Sequence, residues 1–221
     1  MRPHVLGVQI DTLSAVNALR QIERWLANPE HGPYRVYTPN PEMLVYAHRH
    51  PEFKTLLNEG DLNLPDGIGL VWFSHDKIHE RIAGTDLVQR IVKEHPAVSI
   101  GCVIPEHGLS TAADIQSVLP RAEVITPEQT FQSEHTLILV ALGSPAQEQW
   151  IHEHAQRHRN AVLWGVGASL DHLTGKQRRA PLIFQRIRLE WLWRLFRQPR
   201  RFKRILTATI YFPLLALTRK S

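Results

Sequence analysis

Apolar residues along this chain follow two rhythms. Residues 136–142 and 161–166 are near-continuous apolar runs, stopped at Gly143-Ser144-Pro145 and at Gly167. Residues 98–104 form a third run; 36–38, 62–64 and 124–126 are shorter ones. Between them, apolar residues recur at helical spacing over 41–57, 86–92, 109–119 and 146–157. Strands apolar on both faces belong in a sheet covered on both sides, and strands alternating with helices imply parallel pairing. The pattern predicts an α/β fold, a Rossmann-like, mostly parallel sheet with flanking helices. A further helix is predicted over 183–197, where Ile183, Ile187, Trp191 and Leu195 make a wide apolar face. Arg186, Glu190, Arg194 and Arg197 make a narrow stripe beside it. Pro199 ends that helix, and Arg200, Arg201, Lys203 and Arg204 follow. The chain thus divides into an α/β domain, 1–176, and a basic amphipathic C-terminal helical appendage, 177–221.

Ligands of open parallel sheets bind beyond the carboxyl ends of the strands. Those ends read Thr38-Pro39-Asn40, Pro65-Asp66-Gly67, Gly143-Ser144-Pro145 and Gly165-Val166-Gly167. Asp66 is either a general base at the mouth of the sheet or a turn aspartate bonded to its own backbone. Leu142–Glu148 joins a strand to a helix whose free N–H groups could cradle phosphate; the plainer reading is a turn with Ser144 as N-cap. Gly165-Val166-Gly167 lacks the third glycine of a dinucleotide fingerprint. His154 and His158 are four apart and could share a metal, but a solvated helix face accounts for them better. No Asp-x-Asp pair is present to clamp a metal-bound diphosphate.

The net charge of +5 is unevenly spread. Residues 1–175 carry 13 Lys/Arg against 20 Asp/Glu, a net −7; residues 176–221 carry 13 against Glu190 alone, a net +12. Such a tail seeks a phosphate-rich partner. Its tryptophans and apolar residues favour an anionic membrane surface, and no nucleic-acid motif accompanies it. Residues 205–218 are the longest apolar-leaning run without charge; they contain Pro213 and fall short of the ~20 residues a membrane-spanning helix needs. The opening MRPHVLGVQI reaches Asp11 without a signal-peptide core. The single cysteine, Cys102, excludes an intrachain disulfide.

These segments resemble the WecG/TagA/CpsF glycosyltransferases of bacterial surface-polysaccharide pathways. The resemblance rests on Val5-Leu6-Gly7-Val8, Thr38-Pro39-Asn40-Pro41-Glu42, Leu64-Pro65-Asp66-Gly67-Ile68-Gly69 and Arg81-Ile82-Ala83-Gly84-Thr85-Asp86. It continues through Leu142–Glu148, Gly165-Val166-Gly167, Arg178-Arg179-Ala180-Pro181 and Leu189-Glu190-Trp191. It implies an inverting, metal-independent transferase without a cofactor, acting at the cytoplasmic face of the plasma membrane. The implied donor is UDP-N-acetylmannosamine or its uronate, and the acceptor undecaprenyl-diphosphate-linked N-acetylglucosamine. By motif match Asp66 is the catalytic base, and Thr38 and Asn40 are pocket positions. Gln147 and Asp171 lie near the nucleotide-sugar. Arg179, Arg194, Arg197 and Arg201 belong to an appendage that closes over the site. The alternatives are another UDP-hexose as donor, or a non-catalytic membrane-surface binding protein of the same descent.

Overall fold

A computed structural model describes residues 2–74, 77–178, 180–181, 193 and 202–218. A hairpin of β1 (His4–Val5) and β2 (Val8–Gln9) opens the chain, followed by helix α1 (Ala15–Ala27). Strand β3 (Tyr34–Tyr37) leads into α2 (Pro41–Arg49) and α3 (Pro51–Asn58), and β4 (Leu62–Asn63) into α4 (Ile68–Trp72) and α5 (Gly84–Glu94). Then come β5 (Ile100–Val103), α6 (Ala112–Val118), β6 (Glu123–Ile125), β7 (Leu137–Val140), α7 (Ala146–His154), β8 (Val162–Gly165) and α8 (Ser169–Leu173). The chain is helical again over 202–218, with a π-type stretch at Thr207–Tyr211.

Six strands form one sheet in the order β4-β3-β8-β7-β5-β6, and every pairing is parallel. The central runs are buried on both faces, as their composition requires. Ile138, Val140 and Leu163 face one core, with α2, α3 and α7. Leu137, Leu139, Val162 and Trp164 face the other, with α1, α5, α6 and α8. Each buried aliphatic side chain contributes about 1.5–3 kcal/mol. The chain leaving β3 turns to the first face and the chain leaving β8 to the second. Their divergence between neighbouring strands opens a crevice at the carboxyl edge, where such folds bind ligands.

The predicted single helix over 41–57 is two. Pro51 cannot donate an N–H to the helix and disfavours helical geometry at the residue before it, and His50 is extended at φ −126°, ψ 89°. The short α4 and the hairpin hold too few apolar positions to be predicted from the chain; α1, also unpredicted, does carry a helical pattern at Ala18, Leu19, Ile22, Trp25 and Leu26. The predicted helix over 183–197 lies outside the described residues, apart from a helical Trp193.

The helix over 202–218 packs on α2. Phe212 and Ala216 are buried there, Phe212 meets Phe73 edge-to-face at 6.0 Å, Arg204 Nε reaches Glu42 Oε1 at 2.6 Å, and the Arg49 guanidinium stands 4.7 Å from the Tyr211 ring centre. Its opposite arc presents Phe202, Leu206, Ile210, Leu214 and Leu217 to solvent, and Trp72 of α4 is 62% exposed. Among the described residues no helix is long and apolar enough to cross a membrane.

Candidate active site

Asp66 stands at the carboxyl end of β4 on a loop fixed from both sides. Its backbone N–H donates to Pro39 O at 2.9 Å, and Ile82 N–H donates to Pro65 O at 2.8 Å. Gly67 follows at φ +135°, where a β-carbon would lie 2.7 Å from Pro41 Cδ. Only glycine fits this turn without strain. The loop brings Arg81, fifteen residues away in sequence, to Asp66, with Nε 3.5 Å from Oδ1. Both side chains are partly open to solvent.

The base of the loop is itself anchored. Asn63 donates from Nδ2 to Gln9 O at 2.9 Å and Leu57 O at 2.8 Å, while its backbone N–H donates to Asp11 Oδ2 at 2.7 Å. Burial pushes the Asp11 carboxyl up from its ordinary value, against the Asn63 N–H and the Arg2 guanidinium, which favour its charge. The N-terminal hairpin therefore braces the strand that carries Asp66.

Thr38 and Asn40 lie beside this loop, at the end of β3. The Thr38 hydroxyl points to Gly165 O at 3.5 Å, spanning the crevice between β3 and β8. A β-carbon on Gly84 would stand 2.8 Å from Thr38 Cγ2, so α5 begins in close contact with it. Asn40 is the N-cap of α2: its Oδ1 accepts from Met43 N–H at 3.0 Å. Such a cap contributes about 1 kcal/mol. It gives Asn40 a structural task besides the pocket position that the resemblance implies.

Across the crevice lie two glycine turns. Gly143 (φ +75°), after β7, has open space where a β-carbon would sit, and Gly167 (φ +50°) lies after β8. The buried Gln147 connects them: its Oε1 accepts from Gly167 N–H at 2.9 Å and its Nε2 donates to Glu148 Oε1 at 2.7 Å. The N-cap of α7 is Pro145, without a side-chain cap, so Ser144 does not take the capping role of the plainer reading.

Asp171 sits in the first turn of α8 on the far side of the crevice. Its Oδ1 accepts from the buried Ser110 hydroxyl at 2.7 Å, and that hydroxyl also meets Thr174 Oγ1 at 2.8 Å. Thr111 and Asp114 form a capping box at the start of α6, and Lys176 Nζ meets Asp114 Oδ1 at 2.9 Å. The Thr111 backbone N–H, then Lys176 and the Thr111 hydroxyl, hold the Asp114 carboxyl down at about 2. These contacts tie the loop after β5 to α8 and to the chain entering the tail. A Thr85–Ser169 hydroxyl contact at 3.0 Å joins α8 to α5 beside Thr38.

The predicted residues thus line one edge of the sheet, from Asp66 over β4, through Thr38 and Asn40 over β3, to Gln147 and Asp171 around β8. Arg179, Arg194, Arg197 and Arg201 lie outside the described residues. Arg81, Ser110 and Glu148 had no role in the sequence reading. Arg81 and Glu148 stood inside quoted motifs, but only the fold reveals their partners. The expected solvated histidine face is only partly one: the His154 ring stacks on Trp150 at 4.2 Å, and His158, just past α7, packs against Phe131 and Trp150. His152 does lie at the surface, 2.8 Å from Glu59. Among the described residues no three His, Cys, Asp or Glu side chains come together as metal ligands.

Chemically, the edge offers a carboxylate in contact with a guanidinium, and beside it glycine turns that let backbone approach a ligand closely. That is suited to deprotonating a hydroxyl at one end while a phosphate-bearing group lies at the other. The sequence profile of the Glycosyl transferase WecG/TagA/CpsF family matches residues 3–221. The N-acetylglucosaminyldiphosphoundecaprenol N-acetyl-beta-D-mannosaminyltransferase of Staphylococcus aureus strain MRSA252 is 27% identical over 237 positions, covering 98% of this chain and 92% of its own. The protein of the same description from strain MW2 is 26% identical over 247 positions, with the same coverage.

Proposed function

We propose, from the premise that this chain belongs to the WecG/TagA/CpsF glycosyl transferase family, that it transfers N-acetylmannosamine, or its uronate, from a UDP-sugar to undecaprenyl-diphosphate-linked N-acetylglucosamine. The observation that carries this reading is Asp66, held over β4 by Pro39 and Ile82 and met by Arg81, at the edge that also bears both glycine turns. The names of the Staphylococcus aureus relatives supply donor sugar and acceptor.

In the proposed reaction the acceptor hydroxyl attacks the anomeric carbon from the face opposite UDP. Asp66 takes the hydroxyl proton as the new C–O bond forms, and the anomeric C–O bond to UDP breaks, inverting the centre. Arg81 orients the Asp66 carboxylate toward the acceptor. The departing diphosphate gains negative charge, which fixed N–H donors and guanidinium groups stabilise best in a water-poor site. The glycine turns after β7 and β8 supply backbone for this, and Arg179, Arg194, Arg197 and Arg201 supply charge from the tail. No metal or cofactor enters the scheme. Residues 1–176 form the catalytic domain and 177–221 the appendage.

A lipid-linked acceptor has to be met at a membrane. The exposed arc of Phe202, Leu206, Ile210, Leu214 and Leu217, next to basic residues, fits an anionic surface. The protein then works peripherally, on the inner face of the plasma membrane.

The test is a donor panel against a short-chain lipid-diphosphate N-acetylglucosamine acceptor, with EDTA present and the product identified by mass spectrometry. Transfer from UDP-N-acetylmannosamine, or from its uronate, supports the reading. Transfer only from a different UDP-hexose replaces the sugar assignment, and no transfer from well-folded protein contradicts the enzyme assignment.

A further inference from the structure

The carboxyl group of Glu148 is the most deeply buried acidic side chain among the described residues, with none of the residue exposed. Burial pushes it up from its ordinary value, and the Gln147 amide and the Ser144 hydroxyl partly oppose that rise. Burying a carboxyl costs several kcal/mol unless hydrogen bonds offset it, and an apolar residue of similar volume would spare that cost. The position therefore asks for a reason other than packing.

Its partners give one. The Gln147 backbone N–H donates to Gly143 O at 2.9 Å in the turn after β7, and the second Glu148 oxygen, Oε2, is buried without a hydrogen-bond partner. Gln147, bonded to Glu148 at 2.7 Å, reaches the turn after β8 by accepting from Gly167 N–H at 2.9 Å. A primary amide can present either end. With Glu148 accepting from Nε2, Oε1 is left to face Gly167, and the amide cannot flip without losing both bonds. A β-carbon on Gly165 would come within 2.9 Å of Gln147 Nε2, so strand β8 and the amide are in tight contact as well.

We infer that Glu148 is a positioning residue: by locking the Gln147 side chain, whose residue joins both turns, one buried carboxyl sets the spacing of the Gly143 and Gly167 turns, and so shapes the cradle for the donor's diphosphate. The ligand class is a nucleoside diphosphate or its sugar ester. This deepens the function proposed above and rests on it. Glu148 touches no reacting atom. It acts by holding the Gly167 turn and the Gly143-Ser144 backbone beside the place where the leaving group's charge develops.

Two readouts separate the brace from the function it serves. The first uses the protein without ligand: amide hydrogen exchange at Gly167 in wild type, Glu148→Met and Glu148→Gln. Methionine fills the volume but accepts no hydrogen bond from Gln147. Exchange at Gly167 should accelerate about tenfold, the loss of roughly one hydrogen bond, while the midpoint of global unfolding holds or rises because a buried carboxyl has gone. Glutamine keeps an acceptor for Gln147 Nε2 and should restore most of the protection. Unchanged exchange at Gly167 in Glu148→Met overturns the brace, whatever the protein binds. Should Glu148→Met not fold, Gln147→Met serves in its place, with the same expected loss and the same contrary result.

The second readout is UDP affinity by calorimetry. Wild type should bind UDP, Glu148→Met should bind about tenfold more weakly, and Glu148→Gln should recover most of the loss. Equal affinity in wild type and Glu148→Met overturns the positioning role. No UDP binding by wild type overturns the diphosphate cradle and the proposed function together, and the exchange data then report the brace alone.

Discussion

Arg81 Nε stands 3.5 Å from Asp66 Oδ1, across fifteen residues of chain. Two backbone hydrogen bonds, Asp66 N–H to Pro39 O and Ile82 N–H to Pro65 O, fix the segments that carry the pair. If Arg81 orients the base, Arg81→Ala lowers kcat by about tenfold to a hundredfold, the range expected when a reacting group is misplaced by about 1 Å. Lysine restores the charge but not the planar fork, so Arg81→Lys recovers only part of the loss. Steady-state kinetics with both substrates varied checks this.

Gly67 is a second point of leverage. Alanine there forces a side chain into φ +135° and against Pro41 Cδ. The expected cost is about 1–3 kcal/mol of stability, read as a lower urea midpoint. Because the strain falls next to Asp66, transfer drops further than stability does. A control substitution at Gly175, also at positive φ but with open space around it, shares the strain and spares the activity.

His158, packed on Trp150, makes stability pH-dependent. Desolvation, then the neighbouring charges of His154, His135 and Arg157, hold the His158 imidazole below its ordinary 6.5, with Glu134 opposing them. On acidification the unfolded chain therefore takes up a proton first. Stability is full above pH 6.5, declines as the pH falls below it, and levels off once the folded His158 is charged too. His158→Phe keeps ring contact with Phe131 and Trp150 and removes the proton. Its urea midpoint should depend less on pH below 6.5 than that of wild type.

Much of the fold was legible in the chain. Buried strands such as 137–140 announce themselves by apolar residues on both faces, and glycine or proline marks where each ends. The helix break at Pro51 was readable too, but the shared apolar periodicity of α2 and α3 masks it. What the chain could not display is pairing at a distance. The partners Asp66–Arg81, Asp171–Ser110 and Gln147–Gly167 lie 15, 61 and 20 residues apart; the first pair meets through the backbone bonds of its loop, the other two because β5, β7 and β8 lie side by side in the sheet. The N-cap expected at Ser144 and the unforeseen one at Asn40 have the same origin. Whether a polar residue caps a helix or faces a ligand depends on where the preceding strand delivers it.

The exposed arc on the C-terminal helix predicts a separable membrane contact. Replacing Leu214 and Leu217, 57% and 64% exposed, by serine should weaken binding to anionic vesicles by about tenfold or more per leucine. Unfolding should be unaffected, because neither side chain is buried. Transfer to a water-soluble acceptor analogue should survive, and transfer to acceptor embedded in vesicles should fall. Sedimentation with vesicles of mixed neutral and anionic lipid checks the first part.

The central claim is that Asp66 accepts the proton of the attacking hydroxyl. Its most direct test is single-turnover transfer to the lipid-diphosphate acceptor by wild type and Asp66→Asn, measured across pH. Asparagine keeps the shape and the backbone bonds but cannot take a proton. The account predicts a loss of about 10²–10⁴ in the rate of transfer, with the acid limb of the wild-type pH profile abolished and unfolding unchanged. Transfer by Asp66→Asn within a few-fold of wild type, with the acid limb intact, would contradict it.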